Sequence, residues 1–266
     1  MTLRALGLAV LTLAATAAAP APPPLRVCAD PNNLPFSNAK GEGFENRVAE
    51  LLARELGTHV EYTWWAQRRG FVRNTLGAGA CELIVGVPVG WDPVLATRPY
   101  YRSTYVFVWR RDRALDVRSL DDPRLRGLRV GVQLVGDNGV NTPPAHALAA
   151  RGIVDNVRGY PVYGDYGSPA PSAAILEAVV HGDVDVAVVW GPVAGYFAAR
   201  LGAPLDWAPV SPTAEPPARR FTFSVAAGVR KTDAALRDRV QTALDRHADE
   251  VAAILDAYAV PRVTTP

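Results

Sequence analysis

Residues 25–38 read LRVCADPNNLPFSN, residues 41–57 read GEGFENRVAELLARELG, and residues 60–65 read VEYTWW. The first stretch is an apolar strand that ends at Asp30 and runs into the turn-forming Pro35-Phe36-Ser37. The second sets Phe44, Val48, Leu51, Leu52 and Leu56 at helical spacing and stops at Gly57. The third is a strand again, so the opening of the chain is a βαβ unit.

The rhythm continues downstream. Strands are expected near 82–87 and 104–109, and after the polar turn RSLDDPRLRG a second unit opens with LRVGVQLVGDNG. Helix PPAHALAARG, strand VRGYPVY, helix PSAAILEAVVHG, strand DVDVAVVW and helix GPVAGYFAARLG follow. A proline-rich segment, 209–220, leads into the apolar strand FTFSVAAGV and two closing helices. Alternating strands and helices predict an α/β fold with mostly parallel strands.

Residues 1–17 read as an export signal: Arg4 is the early charge, Ala5 to Ala14 is a short apolar run, and Ala15 and Ala17 fit a small-x-small cleavage site. The apolar run is shorter than the roughly 20 residues of a membrane span. A soluble, exported protein without membrane insertion is expected. Cys28 lies too far past the signal, in a strand, to be a lipidated N-terminal cysteine. With 28 Lys+Arg against 26 Asp+Glu, the net charge of +2 offers no electrostatic case for nucleic acid. His59, His146, His181 and His247 stand apart from other ligating residues, so no metal and no cofactor are implied.

The opening unit resembles that of periplasmic solute-binding proteins of the amino-acid-binding kind. The resemblance implies a two-lobed type II periplasmic binding protein fold, with helices on both faces of each sheet and a hinge of two crossover segments. Lobe 1 would be 26–109 plus 221–260, and lobe 2 would be 110–220. In that fold the strands carrying Cys28 and Cys81 are neighbours. Export favours a disulfide between them, worth about 4 kcal/mol in the loop-entropy account, over two buried thiols.

Ligands of open parallel sheets sit beyond the carboxyl ends of the strands. The candidates are Asn32, Asn33, Pro35 and Phe36 after the first strand; Trp64, Trp65, Arg68 and Arg69 after the second; Pro88, Trp91 and Asp92 after the third. Lobe 2 adds Gln133, Asp137 and Asn138, then Tyr163, Asp165 and Tyr166, then Trp190. Four of the six tryptophans fall at strand ends. For Trp64 alone a core position is the commoner fate, and adjacent Trp64 and Trp65 face opposite ways, so at most one lines the cleft directly.

Amino-acid receptors carry an aspartate for the ligand ammonium where this chain has Trp190, and a carboxylate-clamping arginine near the place of Trp91-Asp92. Arg98 is the remaining candidate for that clamp. Without both groups a zwitterion would be desolvated unpaired. The segments VCADPNNLPFSN, GEGFENRVAELLA, YTWWAQRRGFVRNTLGAGACEL and TRPYYRSTYVFVWR together resemble the quinoprotein-dehydrogenase-associated binding proteins of the XoxJ/MxaJ type. That resemblance implies a non-catalytic periplasmic accessory of a PQQ-dependent methanol or alcohol dehydrogenase. The double tryptophan points to the lanthanide-type branch, and the dehydrogenase and its cytochrome c are the partners implied. The alternative is an importer's receptor for a small aromatic or weakly charged ligand. A dehydratase on this fold would need an acid placed over a carboxylate-binding arginine, and the cleft candidates supply Asp92, Asp137 and Asp165 without such a clamp.

Overall fold

The computed structural model describes residues 22–135, 141–163, 166–216 and 219–263. The expected export signal, Asp137, Asn138 and Asp165 lie outside the described residues. The opening unit consists of strand β1 (Leu25–Ala29), helix α1 (Phe44–Glu55) and strand β2 (Val60–Trp64). Helix α1 begins where it does because Gly43 passes tightly against the preceding turn; a Cβ there would stand 2.0 Å from the Phe36 carbonyl oxygen. Asn46 Oδ1 accepts the Gly43 amide at 3.0 Å, which satisfies one of the donors a helix start leaves over. Phe44, Val48, Leu51 and Leu52 form the buried face.

The rest of the chain adds α2 (Phe71–Asn74), β3 (Leu83–Pro88), β4 (Tyr101–Arg110), β5 (Val130–Leu134), α3 (Pro143–Ala150) and β6 (Val157–Pro161). It closes with α4 (Ala174–His181), β7 (Val186–Trp190), α5 (Gly191–Ala198), β8 (Leu205–Pro209), β9 (Thr222–Val229), α6 (Ala234–Arg246) and α7 (Ala248–Ala257). The strand order is β2-β1-β3-β9-β4-β7-β5-β6, with β8 also on β4. Within each lobe the strands run parallel: β2-β1-β3 on one side, β7-β5-β6 on the other. The antiparallel pairings of β3, β7 and β8 are those made with the crossover strands β4 and β9.

Alternation explains why β4 reads as a continuous apolar run. Val106 and Val108 pack with α4 and α5, while Phe107 and Trp109 face a second cluster around Leu125, Leu148 and Phe221. In the first lobe, α1, α6 and α7 cover one sheet face through Val48, Leu52, Val240 and Leu255; Phe71 and the two cysteines lie on the other. Cys28 and Cys81 form a disulfide with Cα atoms 5.4 Å apart, closing a sequence separation of 53. The register of β1 on β3, Val27 opposite Leu83, brings them together.

The expected division assigned 101–109 wholly to the first lobe, and hydrogen bonding divides that stretch. Tyr101–Thr104 pair with β9, whereas Tyr105–Trp109 pair with β7. One unbroken strand therefore serves both sheets, and the first crossing falls between Thr104 and Tyr105. The returning chain crosses beside it: Phe221 packs in the second lobe, and the Thr222 hydroxyl donates to Thr104 Oγ1 at 3.0 Å. A third tie comes from the C-terminal tail. Ser103 Oγ donates to the Pro261 carbonyl at 2.6 Å, and a Cβ on Gly195 of α5 would meet the Ala259 carbonyl oxygen at 1.9 Å.

Candidate functional site

A cavity of about 930 Å³ lies between the lobes. Three strands supply its hinge-side wall: Tyr105 from β4, Trp190 from β7 and Phe223 from β9. Ring centroids are 5.3 Å apart for Tyr105 and Trp190 and 5.9 Å for Trp190 and Phe223, within the range of attractive aromatic packing. The first lobe adds Phe36, Tyr101, Phe71 and Trp91; the second adds Gln133, Tyr163, Ser172 and Val193. Arg68, Arg69 and Arg73, all exposed, line the side formed by the β2–α2 loop and α2. Gln133 Oε1 accepts the Trp190 amide at 3.0 Å, so the residue standing in the place of an ammonium-binding aspartate is tied back to its neighbouring strand.

Two carboxyl groups flank this space. Asp30, at the end of β1, is buried and accepts from the Asn32 amide at 2.8 Å and the Gln67 amide at 2.6 Å. Its Oδ2 also accepts the hydroxyl of Tyr166, which reaches across from the second lobe. Burial and then the bond to Asp30 push the Tyr166 hydroxyl pKa up. The Arg68 guanidinium lies 4.5 Å over the Tyr166 ring, and Asn32 Nδ2 donates to the Ser168 carbonyl at 2.7 Å. These contacts fasten the two lips of the cleft to each other.

Glu45, in the first turn of α1, lines the cavity itself. Its carboxyl lies against β3 at Gly86, where a Cβ would stand 1.9 Å from Oε1. No hydrogen bond reaches that carboxyl among the described residues. Burial in the low-dielectric wall, and secondarily the charge of Asp30, push its pKa up to about 8.

Of the residues expected at the cleft, Asn33, Phe36, Arg69, Trp91, Gln133, Tyr163 and Trp190 line the cavity. Tyr166 belongs to the lip. Trp64 does not line the cavity: period-two alternation puts it on the same face as Tyr62, and the two rings stack at 4.4 Å against the first-lobe core. Trp65 leaves the sheet with its ring exposed, and Asp92 points outward to Lys231 Nζ at 3.0 Å. Arg98 is turned away as well, bonded to Asp245 of α6 at 2.5 Å. The sequence reading missed Glu45, Tyr101, Tyr105 and Phe223. Tyr105 and Phe223 lie within strands that cross between lobes, so a rule based on the carboxyl ends of parallel strands does not find them.

Two parallel half-sheets, a paired crossover and an inter-lobe cavity define a periplasmic binding protein fold of type II. A structure of the periplasmic binding protein XoxJ from Methylobacterium extorquens AM1 superposes with a TM-score of 0.74 at 37% identity, covering 91% of this chain and 100% of that one. Protein MoxJ of Methylorubrum extorquens is 32% identical over 260 residues, covering 93% of this chain and 84% of its own length. The chain belongs to the MoxJ family. A structure of MxaJ from Methlophaga aminisulfidivorans MPT shares the fold at a TM-score of 0.75 and 24% identity, over 90% of this chain and 100% of that one. No protein-family model matches the chain.

Proposed function

We propose that this protein is a periplasmic accessory of methanol oxidation that serves a PQQ-dependent dehydrogenase of the lanthanide type and holds an apolar segment of it in the inter-lobe cleft. The carrying observation is the cavity's chemistry. Its walls are largely aromatic, Trp190 occupies the place of the ammonium ligand, and Arg98, the residue the sequence offered for the carboxylate clamp, is committed to Asp245. Such a site suits apolar surface more than a zwitterion, whose charges would be left unpaired on burial. Membership of the MoxJ family supports the assignment to methanol oxidation. Among the described residues no helix is long and apolar enough to cross a membrane, which agrees with action in the periplasm.

Deleting the gene is expected to lower dehydrogenase activity per unit of dehydrogenase protein, and the tagged protein is expected to recover the dehydrogenase from a periplasmic extract. Unchanged specific activity together with no recovery would end this reading. One observation favours a second one. The cavity lies behind lips already fastened by Asp30, Tyr166, Asn32 and Ser168, and its volume is that of a small-molecule site, roughly 300–1,000 Å³. A receptor for a small aromatic solute would show as lost uptake of that solute in the deletion strain, with the dehydrogenase unaffected.

A further inference from the structure

The cavity's polar groups divide unevenly between donors and acceptors. Gln133 spends its oxygen on the Trp190 amide, which fixes the orientation of its side chain and leaves the amide hydrogens for a guest. Asp30 has both oxygens engaged, by the Asn32 and Gln67 amides and the Tyr166 hydroxyl. Arg68 and Arg73 add donors and positive charge at the mouth. Glu45 lines the cavity with no hydrogen bond to its carboxyl from the described residues, lodged where Gly86 leaves room for it. We propose that Glu45 and Gln133, one from each lobe, recognise an uncharged carbonyl oxygen on an apolar guest.

This deepens, and rests on, the reading that the cleft holds an apolar guest. Glu45 faces Asp30 from the end of β1, Tyr62 from β2, Tyr100 just before β4 and Tyr101 at its start, and the charge that shifts it among the described residues is that of Asp30. With a pKa near 8 it is mainly the neutral acid at neutral pH, and in that form it donates a hydrogen bond. An ammonium guest would instead have to pass Arg68 and Arg73 and draw the proton off Glu45. A carboxylate guest would be desolvated among aromatic rings beside Asp30. A carbonyl takes the hydrogen bonds offered and brings no charge. It can belong to the main chain of a partner segment or to a small free molecule.

The test uses the mature chain and four probes: acetophenone, acetyl-Leu-Phe-Leu-amide, 2-phenylethylammonium and phenylacetate. Each is titrated calorimetrically at about pH 6.5 and about pH 9, on either side of the Glu45 titration. The ketone or the blocked peptide is expected to bind more tightly than either ion, with affinity falling about tenfold at the higher pH as the neutral acid is depleted. Binding of the peptide alone assigns the carbonyl to a main chain, and binding of acetophenone alone to a free molecule. Glu45→Gln, which keeps a donor, is expected to retain affinity and lose the pH dependence; the wild-type profile carries the test if that variant does not fold. Preference for 2-phenylethylammonium, carbonyl binding that is the same at both pH values, or no binding of any probe would overturn the proposal. The deletion strain tests the partner reading separately, since carbonyl preference is measured on the isolated protein.

Discussion

At the lip of the cleft, Asp30 is surrounded by donors from both lobes; in the cavity wall, Glu45 is surrounded by rings and apolar side chains and receives no hydrogen bond from the described residues. Both are acids of the first lobe and close in sequence, Asp30 buried and Glu45 half-buried in the cavity wall. The lip spends its carboxylate on holding the lobes together, as fully bonded buried charge does. The wall keeps its carboxyl uncommitted, at a cost to the folded protein that grows when the group ionises. An acid in such a site is poised to meet a guest, whereas Asp30 is already occupied.

The disulfide supports both regions, because it joins β1, which delivers Asp30, to the segment that leads directly into β3, which backs Glu45. Its loss is expected to have the largest effect. Replacing Cys28 and Cys81 by alanine should destabilise the protein by about 4 kcal/mol in the loop-entropy account, read by denaturant unfolding. A cost below about 1 kcal/mol would mean that β1 and β3 are held by packing alone.

Next in size is the pH dependence that distinguishes the two acids. The folded protein keeps on Glu45 a proton that the unfolded chain, with its ordinary value of 4.5, releases, so its contribution to stability is complete below that value and is lost as pH rises through about 8. The slope approaches about 1.4 kcal/mol per pH unit within that window. Glu45→Gln should flatten it, leaving the variant more stable than the parent at alkaline pH. A parent whose stability does not fall in this window would remove the contrast between lip and wall.

Tyr166→Phe deletes the hydrogen bond across the lips and leaves Asp30 with one donor fewer. A loss of about 1–3 kcal/mol from the closed arrangement is expected, visible as a larger radius of gyration by solution scattering. The Glu45 pH dependence should be retained in this variant; its loss would show that the two regions act as one. The smallest effect is expected from Trp65→Ala. The ring is 45% exposed and outside the cavity, so stability should change by no more than about 0.5 kcal/mol. Trp91→Ala at the cavity should weaken recovery of the dehydrogenase, since truncating an aromatic anchor costs about 2 kcal/mol of binding.

Much of the architecture was legible along the chain because it is local. Helical spacing from Phe44 to Leu56 and the run of alternating β4 positions each report a face that must be buried, and neighbouring strands in that fold place Cys28 beside Cys81. The strand-end rule also found Phe36, Trp91, Gln133 and Trp190.

What no local pattern carried was which polar and aromatic groups would share one space. Trp64 and Trp190 both end strands, yet one stacks on Tyr62 against the first-lobe core and the other lines the cavity, because the face each strand turns inward depends on what packs over it. Tyr105 and Phe223 joined the site only because β4 and β9 cross side by side between the lobes. Asp30 and Glu45 look alike in the sequence. Their difference lies in the donors around them: the Asn32 and Gln67 amides and the hydroxyl of Tyr166, more than a hundred residues away in the other lobe, reach Asp30. Hydrophobic periodicity is a property of the chain and can be read from it; desolvation and hydrogen bonding across a cleft depend on distances that exist only after the lobes have folded against each other.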